Sequence, residues 1–284
     1  PLYSSAASDV YKRQRKYHVK RETFEYMKFK IIFRIDRSLG DCLPINYQYE
    51  QSAVIYKILS NADKAYSAWL HDNGFLLDNG KHFKLFCYSR FHFEKYRILR
   101  DAQCINIIGD KIEWYVSFLP EKSTAEFVHG LFANQHVVIG NRAYRVALDV
   151  VGIEALSSVA LEETMTFRVN SSICIRDKKD NRVQYLSPLD KHYEEGLLKG
   201  LLARYESFYG HPFTGDVSSF GFELLTHKSK SVLITIKADT PEQTRVRGYR
   251  YDFRLKAPIE LMKIAYEGGL GELCSQGFGF IEMM

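Results

Sequence analysis

From residue 28 to 37 the chain reads Lys-Phe-Lys-Ile-Ile-Phe-Arg-Ile-Asp-Arg, close to the two-residue period of a half-buried strand. After Pro44 the period lengthens. Ile55, Ile58 and Leu59 recur at helical spacing and predict a helix over residues 48–59, with a shorter one over 63–70. Alternating, aromatic-rich runs at 83–88, 96–103 and 111–119 read as strands and hairpins. Pro120-Glu121 opens another helix, to about residue 132, that turns Phe127, Val128 and Leu131 inward, and strand-like sequence follows over 136–149. The order β-α-β-β-α-β is that of a split, ferredoxin-like domain.

The second half repeats that order. Residues 164–176 predict a strand, 189–209 a helix, 220–226 and 231–238 strands, and 245–256 a further strand. Pro258 suits a helix start, where its missing amide proton would be unpaired anyway, and the helix 259–266 ends at Gly268 before a last strand over 277–283. The fold class expected is α+β, two tandem ferredoxin-like (RRM-like) βαββαβ domains, residues 27–155 and 156–284, with the boundary falling near 150–163.

The first residues alter what the composition means. Residues 1–14, PLYSSAASDVYKRQ, read as translated sequencing-library adapter, because Asp9-Val10-Tyr11-Lys12-Arg13-Gln14 is what a transposase end sequence encodes in this frame. Residues 1–26 are therefore set aside as a non-native leader, and Met27 is the expected start. Without them, 33 Lys and Arg stand against 31 Asp and Glu, a net of +2 rather than +5. Global charge then says little about a nucleic-acid partner, and any electrostatic footprint must be local. Cys42, Cys87, Cys104, Cys174 and Cys274 are odd in number and include no Cys-x-x-Cys pair, as in a reduced, cytoplasmic protein. No apolar run approaches the roughly 20 residues of a membrane span.

The least ordinary stretch is the C-terminal one, where Gly268, Gly269, Gly271, Gly277 and Gly279 precede an apolar tail. Such a loop suits positive φ or close backbone approach. Phosphate motifs fail here: no Lys-Ser or Lys-Thr follows the glycines, and Cys274 stands where a dinucleotide fold needs its third glycine. Residues 276–283, Gln-Gly-Phe-Gly-Phe-Ile-Glu-Met, resemble the RNA-recognition consensus, although Phe278 and Phe280 also suit a core. Residues 245–256 interleave cations with aromatics. As one strand they place Arg245, Arg247, Tyr249, Tyr251 and Phe253 on one face and Arg250, Arg254 and Lys256 on the other. That pattern fits either phosphates with stacked bases or an edge strand protected by charge. His71, before Asp72-Asn73-Gly74, closes the second helix, and alone it is a capping or surface residue. Tyr49 and Tyr56 share a helix face apart from Ile55 and Ile58. His82 and His92 flank a strand without metal-ligand spacing, so neither a metal nor another cofactor is expected.

Taken in order, several of these pieces resemble the CRISPR-associated endoribonucleases of the RAMP superfamily that process precursor CRISPR RNA. The resemblance runs from about Met27 to the C-terminus. It rests on Tyr266-Glu267-Gly268-Gly269-Leu270-Gly271 with Gly277-Phe278-Gly279-Phe280, on Leu43-Pro44 through Tyr56, and on Leu70-His71 followed by Lys84-Leu85-Phe86-Cys87-Tyr88-Ser89. It implies two ferredoxin-like domains, metal-independent cleavage of repeat RNA, a glycine-rich loop near the inter-domain face, and catalytic positions at Tyr56, His71 and Lys84. Asn79-Gly80-Lys81-His82 lengthens the connection from His71 to Lys84, which makes Lys81 a substitute for Lys84. Within that resemblance His71 transfers protons, Lys84 stabilises charge, and Tyr56 is a base or positions the 2′-hydroxyl; a 2′,3′-cyclic phosphate and a 5′-hydroxyl result. Arg245, Arg247, Tyr249, Arg250, Arg254 and Lys256 are the expected RNA contacts. The implied partner is a precursor CRISPR RNA repeat, with room for a homodimer or for other effector-complex subunits. The alternative is a non-catalytic RNA-binding subunit of the same fold.

Overall fold

The computed structural model describes residues 28–179, 182–238 and 240–284, so the expected leader lies outside the described residues. The first half is built from β1 (Lys28–Asp36), α1 (Gln48–Ala62), α2 (Lys64–Asp72), β2 (Phe86–Tyr88), β3 (Lys111–Phe118), α3 (Glu121–Ala133), β4 (His136–Gly140) and β5 (Arg145–Ala155). Its sheet runs β4-β5-β1-β3-β2 with antiparallel neighbours. Apart from the added edge strand β4, this is the ferredoxin-like order, with the first and third strands of the motif at the centre.

The second half contains β6 (Thr164–Val169), α4 (Tyr193–Tyr209), β7 (Gly221–Leu224), β8 (Lys230–Ile236), β9 (Thr244–Arg250), β10 (Asp252–Lys256), α5 (Ile259–Gly268) and β11 (Ile281–Met283). Its sheet, β7-β10-β6-β11, repeats the same order. Two hairpins stand outside it: β8 with β9, and Arg176–Lys179 with Arg182–Tyr185. The fold is therefore two tandem ferredoxin-like units. No helix among the described residues is long and apolar enough to cross a membrane.

Asp63 explains why the first helical stretch breaks in two. Its amide donates to the Leu59 carbonyl at 2.9 Å and closes α1, while its carboxylate accepts from the Tyr66 amide at 2.9 Å and caps α2. Behind α1, α3 approaches so closely at Gly130 that any Cβ there would strike the Ile58 carbonyl. The helices cover one face of the sheet, burying Phe33, Phe86, Trp114, Phe118 and Phe127. The core continues without interruption into the second half through Leu119, Phe167, Leu261, Ile264 and Leu270. Polar links also cross the seam. Ser171 Oγ donates to the Tyr88 carbonyl at 2.5 Å, and buried Lys28 donates to the Ile281 carbonyl at 3.3 Å while lying 3.4 Å from the centre of the Tyr266 ring.

Several expected strands are interrupted. The run 83–88 splits into His82–Phe83 and β2 because Leu85 adopts φ 55°, and 164–176 stops at Val169 before the separate hairpin strand Arg176–Lys179. The run 245–256 is two strands in two sheets: β9 belongs to a hairpin and β10 to the centre of the second sheet, with Tyr251 buried at the break. At the C-terminus only Ile281–Met283 pairs, preceded by the 3-10 turn Cys274–Gln276, because φ at Gly277 and Gly279 is positive. The helix expected from residue 189 starts at Tyr193, since a turn holding the Ser187 amide on the Asp190 carboxylate precedes it.

Candidate functional site

Tyr56, His71 and Lys84 meet where α1, the last turn of α2 and the loop before β2 converge. The Tyr56 and His71 rings pack edge to face, centroids 5.0 Å apart and planes 81° apart. Lys84 Nζ donates to the His71 carbonyl at 2.6 Å. Local geometry enforces this meeting. The turn at Asp63 folds α2 back along α1, and Ser67 Oγ ties the helices together by donating to the Tyr56 carbonyl at 2.8 Å. At the end of α2 the amides of Asn73 and Gly74 both donate to the Trp69 carbonyl at 2.9 Å. Gly74 has φ +62°, and a Cβ there would lie 2.5 Å from the Phe83 carbonyl oxygen and 2.9 Å from Lys84 Cδ. Only glycine lets the lysine stem cross the helix end so closely.

The lengthened connection is absorbed by a small hairpin, Phe75–Leu76 against His82–Phe83. Exposed Lys81 stays in that hairpin's turn, where its carbonyl accepts from the Leu77 amide at 2.9 Å. Lys84, not Lys81, is the lysine brought to His71. His82 Nδ1 lies 2.6 Å from the Asn73 carbonyl and belongs to the same turn.

The three groups differ in environment. His71 is largely exposed, and its Nδ1 lies 2.8 Å from Asp72 Oδ1; a proton on Nδ1 satisfies that contact and leaves Nε2 open to a ligand. Burial lowers the Lys84 pKa to about 8 against the opposing pull of Asp72. Burial, with smaller contributions from Tyr66 and Asp72, pushes the Tyr56 phenol well up, so it keeps its proton at neutral pH. Together they gather an imidazole with an open Nε2, one cation and one neutral phenol in a single cluster. Among the described residues, no group of three or more His, Cys, Asp or Glu is gathered as metal ligands would be.

The glycine-rich loop lies elsewhere, against the start of α1 and against β2. Gly277, at φ +94°, brings its backbone so near α1 that a Cβ would stand 2.5 Å from Gln48 Cβ. The amides of Leu270, Glu272, Gln276, Gly277 and Gly279 all donate to protein carbonyls, so the loop is not an open phosphate cradle. Gly268, Gly269 and Gly271 are buried, as are Phe278 and Phe280. The aromatics of the RNA-like consensus are thus core side chains, unavailable for base stacking. Arg204, on α4, is also buried; it donates to the Gly271 carbonyl and to Cys274 Sγ. Its place on the Leu197–Leu201 stripe was a readable signal that sequence reasoning missed, as were Asp72 beside His71 and Gly74 beneath Lys84.

The six basic-strand residues separate. Arg245 and Arg247 are exposed on β9, and Arg247 donates to Ser231 Oγ at 2.7 Å. Tyr249 and Arg250 are half-buried, and Arg250 lies near Arg90, Tyr47 and Tyr96 of the first half. Arg254 and Lys256 are exposed on β10, where Arg254 pairs with Glu223 at 2.5 Å. They do not form one continuous surface strip with β9.

Residues 42–148 match the family model described as CRISPR-associated protein Cas6, N-terminal, and residues 156–283 match CRISPR associated protein Cas6, C-terminal. The CRISPR-associated endoribonuclease Cas6 1 of Methanocaldococcus jannaschii is 27% identical over 241 residues, covering 84% of this chain and 86% of that protein. The CRISPR-associated endoribonuclease Cas6 of Pyrococcus furiosus is 24% identical over 254 residues, 87% of this chain and 86% of that one. A solved structure of a Cas6-related gene product from Pyrococcus furiosus superposes with TM-score 0.75 at 24% identity, over 91% of this chain and 98% of that one, and so shares the fold. With its two halves matched in order by the two models of one family, the chain belongs to the Cas6 family of CRISPR-associated proteins.

Proposed function

We propose that the chain is a metal-independent endoribonuclease that cleaves precursor CRISPR RNA within its repeats. The observation that carries this reading is the meeting of Tyr56, His71 and Lys84, with ring centroids 5.0 Å apart and the ammonium 2.6 Å from the His71 carbonyl. The names of the Methanocaldococcus jannaschii and Pyrococcus furiosus relatives support the same reaction class.

Cleavage without a metal needs the ribose 2′-oxygen to attack the adjacent phosphorus as its proton leaves. The bond from phosphorus to the 5′-oxygen breaks as that oxygen gains a proton. His71 Nε2 carries the proton between these oxygens, with Asp72 fixing the ring. Each such transfer contributes on the order of 10²- to 10⁴-fold. Lys84 faces the negative charge gathering on the phosphoryl oxygens, worth about 10²- to 10³-fold. Tyr56, held as a neutral phenol, orients the 2′-hydroxyl or a phosphoryl oxygen instead of acting as a base. The products are a 2′,3′-cyclic phosphate and a 5′-hydroxyl.

The test is cleavage of the cognate repeat RNA in EDTA, compared with an RNA carrying 2′-deoxy at the scissile nucleotide. Cleavage of the first and none of the second is expected. Tight binding with no turnover of either would replace this reading with that of an RNA-binding subunit.

A further inference from the structure

At the N-terminal end of α1, beside Tyr47, Arg90 of the first half and Arg250 of the second come near one another at the seam, and no carboxylate pairs with either among the described residues. Arg90 follows β2, and Asn170 follows β6. The Arg90 amide donates to Asn170 Oδ1 at 3.0 Å and its Nε to the Asn170 carbonyl at 2.9 Å. That grip fixes the guanidinium plane and leaves both terminal nitrogens without an acceptor among the described residues. Three residues beyond Asn170, Ile173 bridges to Tyr249, which sets Arg250 at the end of β9 toward the same place. Arg250 Nε is buried with no hydrogen-bond partner, and no carboxylate pairs with the side chain among the described residues.

Like charges held together in a half-buried seam repel, and an unpaired buried donor is costly. Consistently, the Arg250 pKa is lowered, first by burial and next by Arg90, against the opposing pull of the Tyr47 and Tyr96 phenols. Beside the pair stand buried Tyr47, stacked on Phe91 at 5.2 Å, and Tyr96, half-exposed at 50% with its ring 5.4 Å from Phe93. Phe93 is the one aromatic ring packed against Tyr96 among the described residues, and half of the residue stays open to solvent.

We propose that Arg90, Arg250 and Tyr96 form a nucleotide subsite at the seam between the halves, the two guanidiniums taking one RNA phosphate and the tyrosine ring stacking on an adjoining base. The inference rests on the RNA-binding part of the proposed function and is independent of the cleavage step. Guanidinium forks match phosphate oxygens, and an exposed aromatic accepts any base. Tyr47 precedes Tyr56 by nine residues, a helical rise of roughly 14 Å. The subsite therefore grips RNA a few nucleotides away from the scissile phosphate.

The experiment measures equilibrium binding of the full chain to repeat RNA blocked by 2′-deoxy at the scissile nucleotide, across a salt series. Arg90→Ala and Arg250→Ala should each weaken binding roughly 10-fold and reduce the salt slope by about 1. Their combined effect should be less than the product, because both hold one phosphate. Tyr96→Ala should weaken binding at least roughly 5-fold and Tyr96→Phe should restore it, since stacking needs only the ring. Arg142→Ala, which removes an exposed cation from the β4–β5 turn, controls for loss of charge. If Arg90→Ala and Arg250→Ala behave like Arg142→Ala, or if Tyr96→Ala binds as the unaltered chain does, the subsite is overturned while the nuclease reading stands. Failure of the unaltered chain to bind repeat RNA would overturn both.

Discussion

The two halves share one strand order and place their unusual residues in opposite ways. In the first half, ordinary-looking sequence supplies the proposed centre: a tyrosine, a histidine and a lysine, each from a different element, meet at the rim of a packed sheet. In the second half, the conspicuous glycines and phenylalanines turn inward, with Phe278 and Phe280 buried and loop amides spent on protein carbonyls. Conspicuous composition here marks a packing constraint. The proposed reactivity rests instead on three common side chains whose environments differ: one open imidazole, one cation depressed by burial, one phenol held neutral.

That contrast breaks first if the first-half cluster is not the reacting centre. His71→Ala should lower single-turnover cleavage by on the order of 10²- to 10⁴-fold. Lys84→Ala should lower it about 10²- to 10³-fold. The lysine also sets a pH limit. Its folded-state pKa, about 8, lies below the ordinary 10.5, so the ammonium is present below pH 8 and is lost as pH rises through that value. Cleavage should decline above about pH 8 toward the level of Lys84→Ala, whose own profile lacks that step. A wild-type rate that stays level well into the alkaline range would remove Lys84 from the chemistry.

Helix periods, the Pro120 and Pro258 starts and the repeated βαββαβ order were legible because each follows from local sequence. Strand interruptions were not. The break at Tyr251 depends on which sheet each side joins, and residues 245–256 alternate smoothly through it. Leu85 at φ 55° is equally silent, because leucine does not announce a left-handed turn. For the site, family likeness named Tyr56, His71 and Lys84, but the choice of Lys84 over Lys81 came only with the hairpin that carries Lys81 away. Arg90 left no trace in the sequence, since its environment is assembled by Asn170 and Arg250 from the other half.

If the glycine loop is a packing device, its substitutions should act on stability before they act on chemistry. Gly277 and Gly80 both have positive φ, +94° and +79°, but a Cβ at Gly277 would stand 2.5 Å from Gln48 Cβ, whereas one at Gly80 would meet nothing within 4 Å among the described residues. Gly80→Ala should cost only the backbone preference, about 1 kcal/mol. Gly277→Ala adds overpacking at the seam, for a total of about 2 to 4 kcal/mol. A thermal denaturation series reads the difference, at about 2–4 °C per kcal/mol for a chain of this size. Equal shifts for the two would mean that the seam yields easily and that the loop is not a rigid junction.

The smallest expected effect separates the two strands that had looked like one. Arg247 on β9 donates to a neutral serine hydroxyl at 2.7 Å and keeps its full charge for a polyanion. Arg254 on β10 is engaged with Glu223 at 2.5 Å, and both side chains are about half-exposed. An exposed pair contributes little to stability, roughly 0–1 kcal/mol, yet it cancels much of the field that a phosphate would feel. Arg247→Ala should therefore reduce the slope of log affinity against log salt by about 1, with a modest loss of affinity. Arg254→Ala should change the slope by less, because the charge removed was already balanced, and Glu223→Gln should move it the other way by freeing Arg254. Binding titrations of the three variants over the same salt range decide the matter. If Arg254→Ala produces the larger change, the RNA path runs over the open face of the second sheet instead of along the β8–β9 hairpin.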